Sequence, residues 1–158
     1  MEFSAQIEAV LAAGLKPTHL DWHCLRLNGR EAILALMLKL AREYGLALRA
    51  MGRSWIETVQ KQGLPTNDYD FLDSYLLDPV TKASRYVELL RELPIGLSEW
   101  AIHPGLDSAE LRAIDTGGFH IRQTDFDFLT SPQAKEVIAA EGIILLDYRA
   151  LQKVWQEK

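Results

Sequence analysis

The run Lys16-Pro17-Thr18-His19-Leu20-Asp21-Trp22-His23 places two imidazoles and a carboxylate at every second position. Successive side chains of an extended strand point to opposite faces. Residues 18–23 therefore read as a strand with His19, Asp21 and His23 on one side and Thr18, Leu20 and Trp22 on the other. Three neighbouring polar groups are costly to bury without a partner. A metal ion or a hydrogen-bond network would satisfy them, and an exposed strand face is the plain alternative. As a metal ligand His23 would need a neutral ring, which the carboxylate of Asp21 is placed to orient. His103, directly ahead of Pro104-Gly105, stands on a sharp turn where a general acid or base is well placed, and where structural histidines also occur. Arg49 suits either clamping a polar substrate or pairing with an acidic neighbour.

Other polar and aromatic residues read more plainly. Asp68, Asp70 and Asp73 lack the oxygen-ligand spacing of an EF-hand and read as solvated loop carboxylates. His120 reads as surface, and Trp55, Trp100 and Trp155 as core or interface. The chain carries neither a nucleophile elbow nor a Gly-rich phosphate loop.

Helices and strands alternate around these positions. Phe3, Ile7, Val10 and Leu11 recur at helical spacing before Gly14, and Ile33, Leu36, Met37, Leu40 and Tyr44 do so between Asn28-Gly29 and Gly45. Residues 46–51 read as a second strand that ends near Arg49. Ser54 is positioned to cap a helix over 55–62, and residues 71–77 read as a short helix. Asp78-Pro79 opens a further helix with Val80, Ala83, Val87 and Leu90 on one face. A third strand over 97–102 delivers His103. A polar loop through Asp107, Asp115 and Gly117-Gly118 follows, then helices over 119–129 and, behind Ser131-Pro132, over 134–140. Residues 143–146 read as a fourth strand and 148–156 as a closing helix. The expected fold is α/β, about four parallel βα units forming half of a (β/α) barrel or a small open sheet. In either architecture chemistry gathers at the carboxyl ends of the strands, where His23, Arg49 and His103 all fall.

With 158 residues the chain is expected to form a single domain over 1–158 with a real core. Its formal net charge of −5 argues against a nucleic-acid footprint. No apolar run is long enough to span a membrane, and Met1-Glu2-Phe3-Ser4 lacks the basic-then-apolar pattern of a secretory signal. Cys24, the only cysteine, cannot form an internal disulfide, so a cytoplasmic setting is expected.

The sequence resembles the YdjC-like carbohydrate deacetylases, the ChbG/HpnK group. The likeness runs through Pro17-Thr18-His19-Leu20-Asp21-Trp22-His23, Leu48-Arg49, Asn67-Asp68-Tyr69 and Leu93-Pro94-Ile95-Gly96-Leu97-Ser98-Glu99. It continues through Ile102-His103-Pro104-Gly105, Leu129-Thr130-Ser131-Pro132, Gly142-Ile143-Ile144-Leu145 and Leu151. The resemblance implies a barrel-like α/β fold and metal-dependent removal of acetyl groups from N-acetylated sugars. It implies His23 as a metal ligand and His103 as a catalytic group in the same site, with Arg49, Asp21 and His19 on the substrate side.

Two departures from the family pattern bear on activity. Leu25 and Leu27 stand where further alternate histidines are usual, and Trp22 stands where Ser is usual. The family's amino-terminal portion carries an Asp-Asp pair that supplies a metal ligand and the catalytic base, together with a further His ligand. That portion has no counterpart here, and no Asp-Asp dipeptide occurs anywhere. The chain thus looks like the carboxyl-terminal part of such a deacetylase. A divalent ion, Mg or Zn, is expected to bind it weakly or not at all. The expected partners are an N-acetylated sugar and either further copies of the chain or a polypeptide supplying the remaining half, with neither nucleic acid nor membrane. The rival expectation is a non-catalytic relic or assembly subunit.

Overall fold

The computed structural model describes residues 2–23 and 31–157; Cys24, Leu25, Leu27 and Asn28-Gly29 lie outside the described residues. The elements are α1 (Glu2–Ala12), β1 (His19–Leu20), α2 (Glu31–Tyr44), β2 (Ala47–Leu48), α3 (Arg53–Lys61) and β3 (Leu72–Asp73). They continue with a 3₁₀ turn (Ser74–Leu76), α4 (Lys82–Arg91), β4 (Trp100–Ala101), α5 (Ala109–Ile114), α6 (Phe119–Leu129), α7 (Pro132–Ala140) and α8 (Tyr148–Gln156). Two compact units result, one from residues 1–70 and 146–158, the other from residues 71–145. Among the described residues no helix is long and apolar enough to cross a membrane.

The first unit is built on the parallel pair β1–β2, with His19 opposite Ala47 and Leu20 opposite Leu48. The ladder continues just past the strands, where the Arg49 amide donates to the Leu20 carbonyl at 3.0 Å. Ala47 and Leu48 are both buried, as expected of a strand covered on two faces. Leu34, Met37, Leu38 and Ala41 of α2 share a core with Ala47, Leu48, Ile56, Val59 and Trp155. Leu40 packs into a neighbouring cluster with Ile7 and Leu46. The apolar stripe of α2 is therefore wider than the expected Ile33, Leu36, Met37, Leu40 and Tyr44, because the helix serves two clusters.

Gly45 ends α2 at φ +63°, and its carbonyl accepts from Gln152 and Gln156 of α8 at 3.0 and 3.1 Å. The Trp155 indole donates to the Pro65 carbonyl at 2.7 Å. The closing helix thus ties together the end of α2 and the loop after α3. The expected cap Ser54 lies inside α3; the cap position belongs to Gly52, whose φ of +80° disfavours a side chain there.

The second unit contains the parallel pair β3–β4, with Leu72 opposite Trp100 and Asp73 opposite Ala101. The expected helix over 71–77 is instead β3 followed by the 3₁₀ turn. Leu72 donates to the Glu99 carbonyl at 3.1 Å, and the Asp73 carboxylate accepts the Tyr75 amide at 3.0 Å to start the turn. The expected strand over 143–146 is absent: among the described residues no strand pairs with it, and Ile144 is 80% exposed. The Ile143 amide closes the end of α7 on the Ile138 carbonyl at 3.0 Å, and the rest of the run, without a ladder partner, stays irregular. A short helix, α5, stands inside the expected loop, capped by Ser108, which accepts the Leu111 amide. Helices α6 and α8 match the expected spans, and α7 starts behind Ser131 and Pro132, with Ser131 Oγ accepting the Ala134 amide. The α4 helix begins at Lys82 with a rotated face: Val80 and Ala83 are exposed, whereas Lys82, Tyr86, Val87 and Leu90 are buried.

Candidate active-site groups at the strand ends

In the first unit the polar residues gather where β1 and β2 end. The strand covers only His19 and Leu20, so the single polar face expected over 18–23 does not form. The chain leaves the ladder at Asp21 and turns at His23. His19 goes its own way: its ring stacks on Tyr148 with centroids 3.8 Å apart, and Nδ1 lies 3.0 Å from Thr18 Oγ1. Asp21 is the hub instead. Its Oδ2 is 3.1 Å from His23 Nδ1 and accepts from Arg49 at 3.1 Å. Arg49 is 11% exposed and His23 69% exposed at the side chain, so the cluster grades from a buried guanidinium to an accessible imidazole. The other carboxylate oxygen, Asp21 Oδ1, is buried without a hydrogen-bond partner among the described residues.

Burial lowers the pKa of His19 from its ordinary 6.5; Asp21 pulls it back up and Arg49 pushes it further down. With a folded value below the unfolded one, the unfolded chain takes up the proton first. His19 therefore contributes stability above about pH 6.5 that is lost as pH falls through the folded value. The denaturation midpoint is expected to drop across that window. His19→Phe, which keeps the stack on Tyr148, is expected to flatten the slope in urea titrations at several pH values.

In the second unit the carboxyl ends of β3 and β4 carry Asp73, Ser74 and His103 around a buried carboxylate from α6, Asp125. Asp125 Oδ1 accepts from Lys82 Nζ and from the Tyr86 hydroxyl, both at 2.8 Å. Its Oδ2 accepts from Ser74 Oγ at 2.6 Å and from the His103 amide at 2.9 Å. Ser74, Lys82 and Asp125 are all fully buried. Burial alone would raise the Asp125 pKa, but donation from Lys82, Ser74, His103 and Tyr86 outweighs it and holds the carboxyl below the usual range. Burial and the bond to Asp125 push the Tyr86 hydroxyl far up.

His103 Nδ1 lies 2.9 Å from Ser74 Oγ and 4.0 Å from Asp73 Oδ1. Tyr75 meets the imidazole edge-on at 4.6 Å. Tyr75 is itself held, donating to Asp115 at 3.0 Å, while Arg122 Nε donates to the same oxygen at 2.7 Å. The Arg122 guanidinium keeps the Asp115 carboxyl below its usual range against the effect of burial, with Tyr75 and the Gly118 amide assisting. A Cβ at Gly118 would stand 2.5 Å from Asp115 Oδ2, so a side chain there would have to displace the Asp115 carboxylate from its partners.

Asp21, His23 and Arg49 are thus brought into one cluster, His19 into a stack beside it, and His103 into a network of its own unit. Ser74, Lys82, Tyr86 and Asp125 were not expected from the sequence. Their signal was spacing: Lys82, Tyr86 and Leu90 share one stripe of α4, and Ile121, Asp125 and Phe128 share one stripe of α6.

His23 and Asp21 fit one part of a divalent-ion site. An accessible imidazole whose Nδ1 meets a carboxylate is the usual arrangement of a metal-binding histidine and its orienting partner. Among the described residues no cluster of three His, Cys, Asp or Glu side chains surrounds a common point.

Parallel strand pairs with a carboxylate–imidazole cluster at their carboxyl ends place the polar groups at the end of the sheet where α/β folds gather their functional residues. The particular family follows from comparison: the model of the YdjC-like protein family matches residues 1–140, and the chain belongs to that family. A carbohydrate deacetylase of Brevibacillus brevis is 32% identical over 155 residues, covering 95% of this chain and 60% of that protein. One from Geobacillus stearothermophilus is 29% identical over 154 residues, covering 97% of this chain and 59% of the relative. A crystal structure from Enterococcus faecalis V583, of a protein named for cellobiose-phosphate cleavage, superposes with a TM-score of 0.74 at 27% identity. It is matched over 94% of this chain and 58% of its own. The chain spans roughly three-fifths of the length of the curated relatives it matches.

Proposed function

We propose that the chain carries part of the active site of a metal-dependent deacetylase acting on N-acetylated carbohydrates. The observation that carries this reading is the Asp21–His23 pair at the end of β1, in a chain of the YdjC-like family. In this reading His23 contributes one ligand to a Zn or Mg ion, with Asp21 orienting its ring. When bound, the ion supplies Lewis acidity toward the acetamide carbonyl and the attacking water. The Arg49 guanidinium, steadied by Asp21, meets the sugar's polar groups, and the His19–Tyr148 stack forms a flat wall beside them. By the family resemblance alone, His103 is assigned the proton that goes to the leaving amine nitrogen. The remaining ligands and the base that accepts the water's proton come from outside these 158 residues. That part of the proposal rests on the chain's share of its relatives' length.

Calorimetric titration with zinc tests the ligand assignment, and acetate release from N-acetylglucosamine oligomers tests the activity. His23→Ala is expected to abolish the zinc signal, and Asp21→Asn to weaken it by roughly 10–100-fold, as loss of an orienting partner does. Zinc binding that survives His23→Ala unchanged would sink the assignment. A wild-type chain that releases no acetate in any mixture with its relatives' amino-terminal segment would favour an assembly role over catalysis.

A further inference from the structure

We propose that Ser74 and Asp125 are positioning residues that fix the tautomer of His103, placing its proton on Nδ1 and its lone pair on Nε2. The assignment follows from counting hydrogens. Asp125 is ionised against Lys82 Nζ at 2.8 Å, so its oxygens only accept. The Ser74 hydroxyl has one hydrogen, and at 2.6 Å from Asp125 Oδ2 it is committed there. The 2.9 Å contact between Ser74 Oγ and His103 Nδ1 must then run the other way, with Nδ1–H donating to a serine lone pair.

The arrangement is locked from several sides. Lys82 and Tyr86 occupy Asp125 Oδ1, which leaves Oδ2 to Ser74 and to the His103 backbone amide at 2.9 Å. Ring and backbone of His103 are therefore referenced to a single buried oxygen. Ser74 and Asp125 are fully buried, so bulk water does not compete for these bonds. Tyr75, held by Asp115, meets the ring edge-on and restricts its rotation. Asp73 Oδ1 is 4.0 Å from Nδ1, beyond direct hydrogen-bond reach.

The tautomer stands on geometry alone; only its use rests on the function proposed above, in which Nε2 takes up a proton from solvent, forming the imidazolium, and then passes that proton to the leaving amine while Nδ1–H stays on Ser74. Two-bond proton–nitrogen correlation spectra of the 15N-labelled full chain, recorded where the ring is neutral, read the tautomer directly. The expected result is a protonated Nδ1 and a lone-pair-bearing Nε2 in the wild type, with that signature lost in Ser74→Ala and regained in Ser74→Thr. Asp73→Asn is expected to leave it intact. A wild-type ring protonated on Nε2, or an Nδ1–H signature that survives Ser74→Ala or vanishes in Asp73→Asn, would overturn the proposal. Should Ser74→Ala fail to fold, the wild-type and Asp73→Asn spectra still decide it. No step of this readout needs turnover, so failure of the deacetylase reading and failure of the tautomer are told apart.

Discussion

Asp125→Ala is expected to destabilise the second unit by about 3–5 kcal/mol, the loss seen when one partner of a buried ion pair is removed. Four donors lose their acceptor at once: Lys82 Nζ, the hydroxyls of Ser74 and Tyr86, and the His103 amide. The ammonium of Lys82 is the costly one, because it is fully buried and, among the described residues, keeps the Ile121 carbonyl at 3.3 Å as its remaining acceptor. Lys82→Met in the Asp125→Ala background is expected to recover much of the loss, since no uncompensated charge then remains. Chemical denaturation followed by near-ultraviolet circular dichroism, which senses the stacked Tyr86 and Trp100, measures both effects. A change below about 1 kcal/mol in the single variant would show that solvent reaches the site and solvates Lys82.

The same carboxylate contributes to the acid dependence of the unit. Its folded pKa lies below the usual carboxylate value, so the stability it contributes is fully present above the unfolded pKa of about 3.9. That contribution is lost as pH falls from there toward the folded value. Asp125→Asn is expected to remove this part of the acid dependence.

His103→Gln is expected to lower kcat of the active assembly by roughly 10²–10⁴-fold, the usual contribution of a general acid or base. Zinc affinity is expected to remain as in the wild type, since His103 and His23 are tied to different carboxylates. The variant keeps its backbone amide on Asp125 Oδ2, so its fold should survive. Steady-state acetate release together with zinc titration separates the outcomes. A fall in kcat of less than tenfold would remove His103 from the chemistry, and a parallel loss of zinc would make it a ligand instead.

The parts of the fold that could be read from the sequence are those where local chemistry and packing agree. Ser131-Pro132 starts α7 because a serine oxygen accepts the Ala134 amide and a proline tolerates the first turn. Gly45 ends α2 because it adopts a positive φ without strain. The Ile143–Leu146 run was misleading because apolar content alone cannot supply a neighbouring strand. Leu72-Asp73 was misread for the opposite reason, since its partner, Trp100-Ala101, lies far along the chain.

The candidate site divides in the same way. His19, Asp21 and His23 were visible through spacing, but their roles were not, because a strand of only two residues releases Asp21 and His23 from the pleat. The buried network around Asp125 was overlooked for a different reason. Lys82 and Asp125 sit on the apolar stripes of α4 and α6, positions where a charge looks like an error until its partner is seen. A charged residue on each of two buried helical stripes, opposite in sign, is a pattern worth seeking in other sequences.

The closing helix α8 gives the chain a particular order of assembly. Gln152 bonds to the carbonyls of Pro17 and Gly45, and Trp155 to that of Pro65, all contributed by residues made long before it. The intervening residues 71–145 form a separate compact unit inserted between the two parts of the first. During synthesis the amino-terminal part must therefore wait, its core lacking Trp155, while the inserted unit is free to fold around its own contacts. Such long-range closure slows folding and leaves apolar surface exposed in the interim. A released chain ending at residue 145 would carry the whole insert with an unfinished host, a species on which chaperones would be expected to act.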